Sequence, residues 1–207
     1  MSPDFELEKL HSKSEEIVCG VDEAGLGPLA GPLVVASCVI ESLELSQELM
    51  LGIDDSKKLT KQKRERIYGI MMNSGNIKHN VAIVSNDEID TIGLLMAWQD
   101  GVRRSVQSQG AAICLIDGNR SVFLTHCLTV PIVRGDQKSY SIAAASIIAK
   151  VTRDRIMQEI HQEFPLYGFD KNVGYGTTAH ITALNRYGPC RYHRRSFAPV
   201  RKLCRHI

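Results

Sequence analysis

No stretch of this 207-residue chain stays apolar for the roughly 18 to 20 residues that a bilayer crossing needs. No secretory leader opens it: MSPDFELEKLHSKSEE mixes both charge signs where a leader has a basic start and an apolar core. No C-x-x-C pair occurs among Cys19, Cys38, Cys114, Cys127, Cys190 and Cys204, and no histidine follows at zinc-ligand spacing. These absences argue against a membrane-spanning helix, a secreted disulfide scaffold and a zinc module. They predict an intracellular, cytoplasmic protein whose cysteines act as small buried hydrophobes. Internal repeats and low-complexity linkers are also missing, and the length suits one large domain.

Acid is missing from the last 37 residues. Residues 171 to 207 hold Lys171, Arg186, Arg191, Arg194, Arg195, Arg201, Lys202 and Arg205 without one Asp or Glu, a charge of +8. The preceding 170 residues carry 17 bases against 23 acids, a charge of −6, so the overall +2 hides a polarised chain. A basic end on an acidic body is the footprint of a polyanionic partner. A solvated tail is the plain alternative, but such a tail would not usually carry Tyr175, Tyr187, Tyr192, Phe197 and several glycines.

What is present is an alternation. Strand-like runs at 17–22, 32–40, 79–86, 111–116 and 130–134 are interleaved with helical patterns at 54–73, 87–108 and 139–164. A short helix is expected near 178–187. Asp54-Asp55-Ser56 reads as the start of the first helix, and Asn86 or Asp87 as the cap of the second. The pattern predicts an α/β layered domain. Residues 1–16 form an N-terminal extension and a smaller basic region closes the chain from about residue 165.

Three of the strands end in acid: at Asp22-Glu23, at Asp117 before Gly118, and at Asp136 after Gly135. Ligands of open α/β sheets gather outside strand ends. Four carboxylates converging there need a counter-ion, and an all-oxygen set suits Mg²⁺ or Mn²⁺. Taken alone, Asp117 and Asp136 read as turn residues. The pair in VDEAGLGPLAG (residues 21–31) is harder to dismiss, because glycines let a backbone approach a ligand that adjacent acids alone would repel. Neighbours on a strand point to opposite faces, so Asp22 and Glu23 share a site only if the strand bends or ends there.

CGVDEAGLGPLAGPLVVASCVI resembles the first signature of the ribonuclease HII family, the type 2 ribonucleases H. Further blocks are similar in family order: DDSKKLT (54–60), LIDGN (115–119), VRGDQKSYSIAAASIIAKVTRD (133–154), YGFDKNVGYGTTAH (167–180) and HRRSFAPV (193–200). The likeness runs from about residue 17 to residue 200. It implies a ribonuclease H-like fold, a mixed five-stranded sheet flanked by helices. It implies a metal-dependent endonuclease acting on RNA–DNA hybrid duplexes and on duplex DNA with embedded ribonucleotides, leaving 5′-phosphate and 3′-hydroxyl ends. Asp22, Glu23, Asp117 and Asp136 match the four carboxylates that hold divalent metal, Mn²⁺ or Mg²⁺, with two ions ~4 Å apart. No Ser or Cys nucleophile is implied. The glycine loop, Gly25-Leu26-Gly27, would touch the ribose 2′-hydroxyl, the group that separates RNA from DNA.

The resemblance also assigns substrate contacts. Tyr175 matches a tyrosine that packs on the sugar after the ribonucleotide, with Thr177 in support; an ordinary half-buried tyrosine is the alternative. Ser56, Lys57 and Lys58 would meet phosphates, or else be a helix cap and solvated lysines. Arg194, Arg195 and Ser196 fit duplex-backbone binding. His193 reads equally as a structural histidine, Trp98 as core, and Asp154 as the partner of a neighbouring base such as Arg153. The family's loop usually reads G-R-G. Leucine at position 26 removes a charge-assisted phosphate contact worth roughly 1.5 to 3 kcal/mol. A weakened enzyme, or a non-catalytic nucleic-acid binder of the same fold, is therefore the alternative expectation. Only 16 residues precede the first strand, which points away from ribonuclease HIII and toward a single-chain, monomeric, bacterial-type enzyme.

Overall fold

The computed structural model describes residues 3–12, 16–42, 45–53 and 59–204. Its centre is a five-stranded mixed sheet of β1 (Val18–Ala24), β2 (Leu33–Ile40), β3 (Ile77–Val84), β4 (Ile113–Asp117) and β5 (Leu128–Ile132), in the order β3-β2-β1-β4-β5. β1, β2 and β3 pair antiparallel, whereas β4 joins β1 and β5 joins β4 in parallel. A short loop can reverse the chain between β1 and β2, but a parallel return from β3 to β4 needs a helical crossover. The helices are α1 (Glu6–His11), α2 (Gln47–Gly52), α3 (Lys61–Met72), α4 (Asn86–Ile92), α5 (Leu94–Val106), α6 (Tyr140–Glu163), α7 (Phe169–Asn172), α8 (Thr178–Tyr187) and α9 (Ala198–Cys204).

Strand β2 shows why both sheet faces are covered. Val34, Ala36 and Cys38 pack in one apolar layer with Ala143, Ala144, Ile147 and Ile148 of α6. Leu33, Val35 and Val39 pack in the other with Ala97, Trp98 and Val102 of α5. A strand buried on both faces reads as a continuous apolar run instead of an alternation. Each large side chain so buried contributes ~1.5–3 kcal/mol.

Several boundaries differ from the sequence expectations. Strand β1 runs further than expected, through Asp22-Glu23 to Ala24, which pairs with Val34 of β2, and it ends directly after the acid pair. The helix expected at 87–108 is two helices, because Gly93 (φ +80°) closes α4 before α5 starts. Its cap is Ser85, whose hydroxyl accepts from Glu88 N while the Glu88 carboxylate accepts from Ser85 N, a reciprocal capping box. The described part of the helix expected at 54–73 begins at Lys61, capped by Thr60. The residues proposed as its start lie outside the described residues.

The N-terminal extension contributes α1. Asp4 exchanges backbone bonds with Lys138 and Tyr140, and the Phe5 and Tyr140 rings lie 4.7 Å apart. Glu8 is buried, and its Oε1 accepts from Ser139 Oγ (2.6 Å), Ser141 N (2.9 Å) and Ser141 Oγ (2.7 Å). A carboxylate at a helix N-terminus meets unpaired N–H groups and the positive end of the dipole. α1 thus pins the start of α6 beneath the sheet.

Candidate active site

The acids collect where β1, β4 and β5 all run out. Asp22 is buried on the α6 side, where Ser146 hydrogen-bonds its carboxyl and its Oδ1 accepts the Glu23 N–H at 2.7 Å. Burial first, then the negative charges of Glu23 and Asp117, push the Asp22 carboxyl well above the ordinary range. Asp117 ends β4, and its Oδ1 accepts the Gly135 N–H at 2.7 Å. That bond ties β4 to the 3-10 turn Gly135–Gln137, which carries buried Asp136. Glu23 leaves β1 on the opposite face from Asp22, as strand alternation requires. Its Oε2 accepts from Trp98 Nε1 of α5 at 3.0 Å.

All four donors are hard oxygens, and the crowding at Asp22 is what a cation would relieve, so the set fits Mg²⁺ or Mn²⁺ in chemistry and place. Among the described residues, no three His, Cys, Asp or Glu side chains already stand close enough to hold a metal ion. Chelation requires these side chains to turn toward one point.

The glycine loop lies beside them. A cleft of about 270 Å³ is lined by Glu23, Gly25, Gly27, Ser146, Lys150 and Tyr175, with Ala24, Leu26 and Arg153. Two buried arginines brace the loop from inside. Arg153 donates to the carbonyls of Pro32 (2.9 Å), Val173 (2.9 Å) and Ala30 (3.1 Å). Arg194 donates to those of Gly31 (3.0 Å), Leu26 (3.1 Å) and Gly25 (2.6 Å). Burial lowers the two guanidinium pKa values to about 10 and about 9. In a trans peptide the N–H opposes the C=O. Turning the Gly25 and Leu26 carbonyls into Arg194 therefore turns the Leu26 and Gly27 N–H groups away from it. Neither N–H is engaged in a hydrogen bond among the described residues. Gly25 has φ +108°, and a Cβ there would stand 2.3 Å from Arg153 Nε, so the brace leaves room for no side chain.

Arg194 was expected at the duplex backbone, but it is fully buried and spent on the loop. Ser196 also differs: its N–H and hydroxyl both bond Asp90, at 2.9 and 2.5 Å. Arg195 keeps an exposed side chain, while its N–H donates to Asp90 at 2.7 Å. Tyr175 is 46% exposed and lies over Gly27, where a Cβ would come 3.6 Å from its ring. Thr177 caps α8 through His180 N. Leu26 is half-buried against the apolar layer on the α5 side. Ser56, Lys57 and Lys58 lie outside the described residues. Asp154 pairs with Lys150 (2.6 Å) and Arg64 (3.7 Å), not with Arg153, whose guanidinium is occupied by carbonyls.

His193 is structural. The Cys190 N–H donates to its Nδ1 at 3.0 Å, which leaves the proton on Nε2. That proton lies between His193 Nε2 and His180 Nε2, 3.0 Å apart. His180 Nε2 then accepts, and His180 Nδ1–H donates to the Tyr175 carbonyl at 2.8 Å. A neutral two-histidine relay thus holds the backbone of Tyr175. Sequence reasoning missed His180, Ser146, Lys150, Arg153 and the Glu23 bond of Trp98. Arg153 alone left a signal: it sits four residues from buried Ala149 and Met157, a cation in an apolar stripe.

A mixed sheet with acids at its strand ends and helices on both faces is an α/β domain of the ribonuclease H-like fold. The solved ribonuclease H2 of Pyrococcus horikoshii OT3 matches it with a TM-score of 0.76 and 25% identity, over 92% of this chain and 98% of that one. Bst-RNase HIII, solved in complex with Mn²⁺, shares the fold with a TM-score of 0.70 and 19% identity, over 95% of this chain and 71% of that one. The sequence profile of ribonuclease HII matches residues 19–200. The ribonuclease HII of Burkholderia thailandensis is 48% identical over 189 residues, 90% of this chain and 86% of that protein. The chain belongs to the ribonuclease HII family, endonucleolytic hydrolases that act on the RNA strand of RNA–DNA hybrids. Nothing in these matches supports the alternative of a weakened or non-catalytic member of the fold.

Proposed function

We propose that the chain is a divalent-metal-dependent endonuclease that also cuts on the 5′ side of a single ribonucleotide embedded in duplex DNA, leaving 5′-phosphate and 3′-hydroxyl ends. The observation that carries this reading is the brace of Arg153 and Arg194 beneath the glycine loop, which aims two backbone donors away from the protein interior beside the carboxylates. Preset donors lose little on binding and discriminate strongly by a hydroxyl. The N–H groups of Leu26 and Gly27 bond the 2′-hydroxyl, and Gly25 keeps the backbone close. The Tyr175 ring packs on the next sugar, held there by the His180–His193 relay. Asp22, Glu23, Asp117 and Asp136 hold the cation. A bound divalent cation supplies Lewis acidity at the phosphate and a water of lowered pKa. Mn²⁺ in the Bst-RNase HIII complex supports, by analogy, that choice of ion.

Lys150, in the cleft, and exposed Arg195 meet phosphates; Arg194, Ser196 and Thr177 position the groups that do. Ser56, Lys57 and Lys58 keep their phosphate role on the strength of the DDSKKLT block. We take the protein to act as a cytoplasmic monomer.

The test is cleavage of three end-labelled duplexes: one with a single ribonucleotide, one with its 2′-O-methyl form, and one all DNA. With Mn²⁺ or Mg²⁺ the first is cut 5′ of the ribonucleotide, and the others at least about 100-fold more slowly. Chelator abolishes the cut. Comparable cleavage of the all-DNA duplex would sink the reading.

A further inference from the structure

We infer that Trp98 is a positioning residue for Glu23 and thereby sets the affinity of the site for its divalent cation. The inference rests on the proposed function, in which Glu23 is one of the groups that hold the ion.

Each of three acids at the strand ends has a donor supplied by the fold. Asp22 has Ser146 from α6, and Asp117 has the Gly135 N–H from the turn after β5. Glu23 has the Trp98 indole from α5. Because Asp22 and Glu23 leave β1 on opposite faces, one helix cannot orient both. The helix covering each face supplies the donor for the acid on that face.

Trp98 suits this task. It is 3% exposed and packed with Cys19, Val21, Val35 and Val102, so its ring direction is set by the apolar layer. Its Nε1–H is a donor only, and it meets an acceptor oxygen at 3.0 Å. Fixing a glutamate side chain when a ligand binds costs rotamer entropy. Fixing Glu23 before the ion arrives removes that cost. Outer groups that orient metal ligands typically alter affinity or activity by ~10–100-fold when removed. Phenylalanine at position 98 keeps most of the packing and deletes the donor.

Trp98 is also the only tryptophan in the chain. Because the indole bonds the Glu23 carboxylate directly, a paramagnetic ion held by Glu23 would quench its emission.

The test measures free Mn²⁺ by electron paramagnetic resonance during titration of wild type, Asp22→Asn, Trp98→Phe, Glu23→Gln and the Trp98→Phe/Glu23→Gln double variant. Asp22→Asn loses most binding. Trp98→Phe raises the Mn²⁺ Kd about tenfold, and has no further effect in the Glu23→Gln background, as a contact acting through Glu23 requires. Wild-type tryptophan emission falls along the same isotherm. Equal binding by wild type and Asp22→Asn would overturn the site assignment and this inference with it. With Asp22→Asn impaired, three results overturn the inference alone. These are a Trp98→Phe Kd within twofold of wild type, an undiminished loss in the Glu23→Gln background, or emission that ignores bound Mn²⁺. The emission arm uses unmodified protein, so a variant that folds poorly leaves it intact.

Discussion

At the scale of the residue, Asp22 bears the strain of the site. It is buried, it faces two other carboxylates, and its raised pKa records the cost of ionising it there. Asparagine keeps the shape and an oxygen for the Glu23 N–H while removing the charge. Asp22→Asn is therefore expected to abolish cleavage yet raise the metal-free melting temperature, by about 2–4 °C for ~1 kcal/mol in a chain of this size. Added Mn²⁺ stabilises wild type and not the variant. Calorimetry with and without metal checks both; a metal-free variant that melts below wild type contradicts the account. Asp22 and Glu23 were legible in the sequence because adjacent acids beside glycines are odd for a turn. Ser146 and Trp98 were not, since their partners lie 124 and 75 residues away and no local pattern encodes such pairings.

At the scale of the element, the strands and α6 were legible because burial on both faces writes long apolar runs. The helix caps were less so. Ser85, Asn86 and Asp87 are all good cap residues by type, and Glu88 decides among them only by standing three residues after Ser85. The loop between β1 and β2 was recognised by its glycines, but not the inward turn of its carbonyls, which depends on arginines from α6 and from the chain after α8. The relay beside it makes a pH prediction. Burial, then His180, lowers the His193 pKa from 6.5 to about 4, and burial lowers that of His180. The folded chain thus takes up fewer protons than the unfolded chain below pH 6.5. The stability from the neutral pair is complete above that value and is lost as pH falls toward about 4. His193 alone accounts for about 2 kcal/mol between pH 7.5 and pH 5. Urea midpoints should drop over that range, and drop less in His193→Gln. Equal losses in the two proteins would rule the relay out as the cause.

At the scale of the whole molecule, charge polarity was legible and its use was not. Of the bases in the C-terminal segment, Arg194 is internal and Arg191 is paired with Glu163 at 2.7 Å. Composition counts both as free positive charge, whereas in the fold one is buried against loop carbonyls and the other is held in an exposed ion pair. Arg195→Ala should lower the slope of log binding against log salt by about 1, the signature of one lost phosphate contact. Arg191→Ala should leave the slope unchanged. A fluorescence-anisotropy salt series distinguishes the two, and equal effects would contradict this division of the basic end. The convergence of the acids is also a property of the whole, because only the parallel placement of β1, β4 and β5 brings residues 22, 117 and 136 to one end of the sheet.

Anomalous scattering from crystals soaked in Mn²⁺ shows whether the four acids hold the cation together. A peak is expected among the carboxylates of Asp22, Glu23, Asp117 and Asp136, within direct oxygen-ligand distance of them. A strong Mn²⁺ peak elsewhere, or none at these acids in crystals of protein that Mn²⁺ activates, would contradict a shared site.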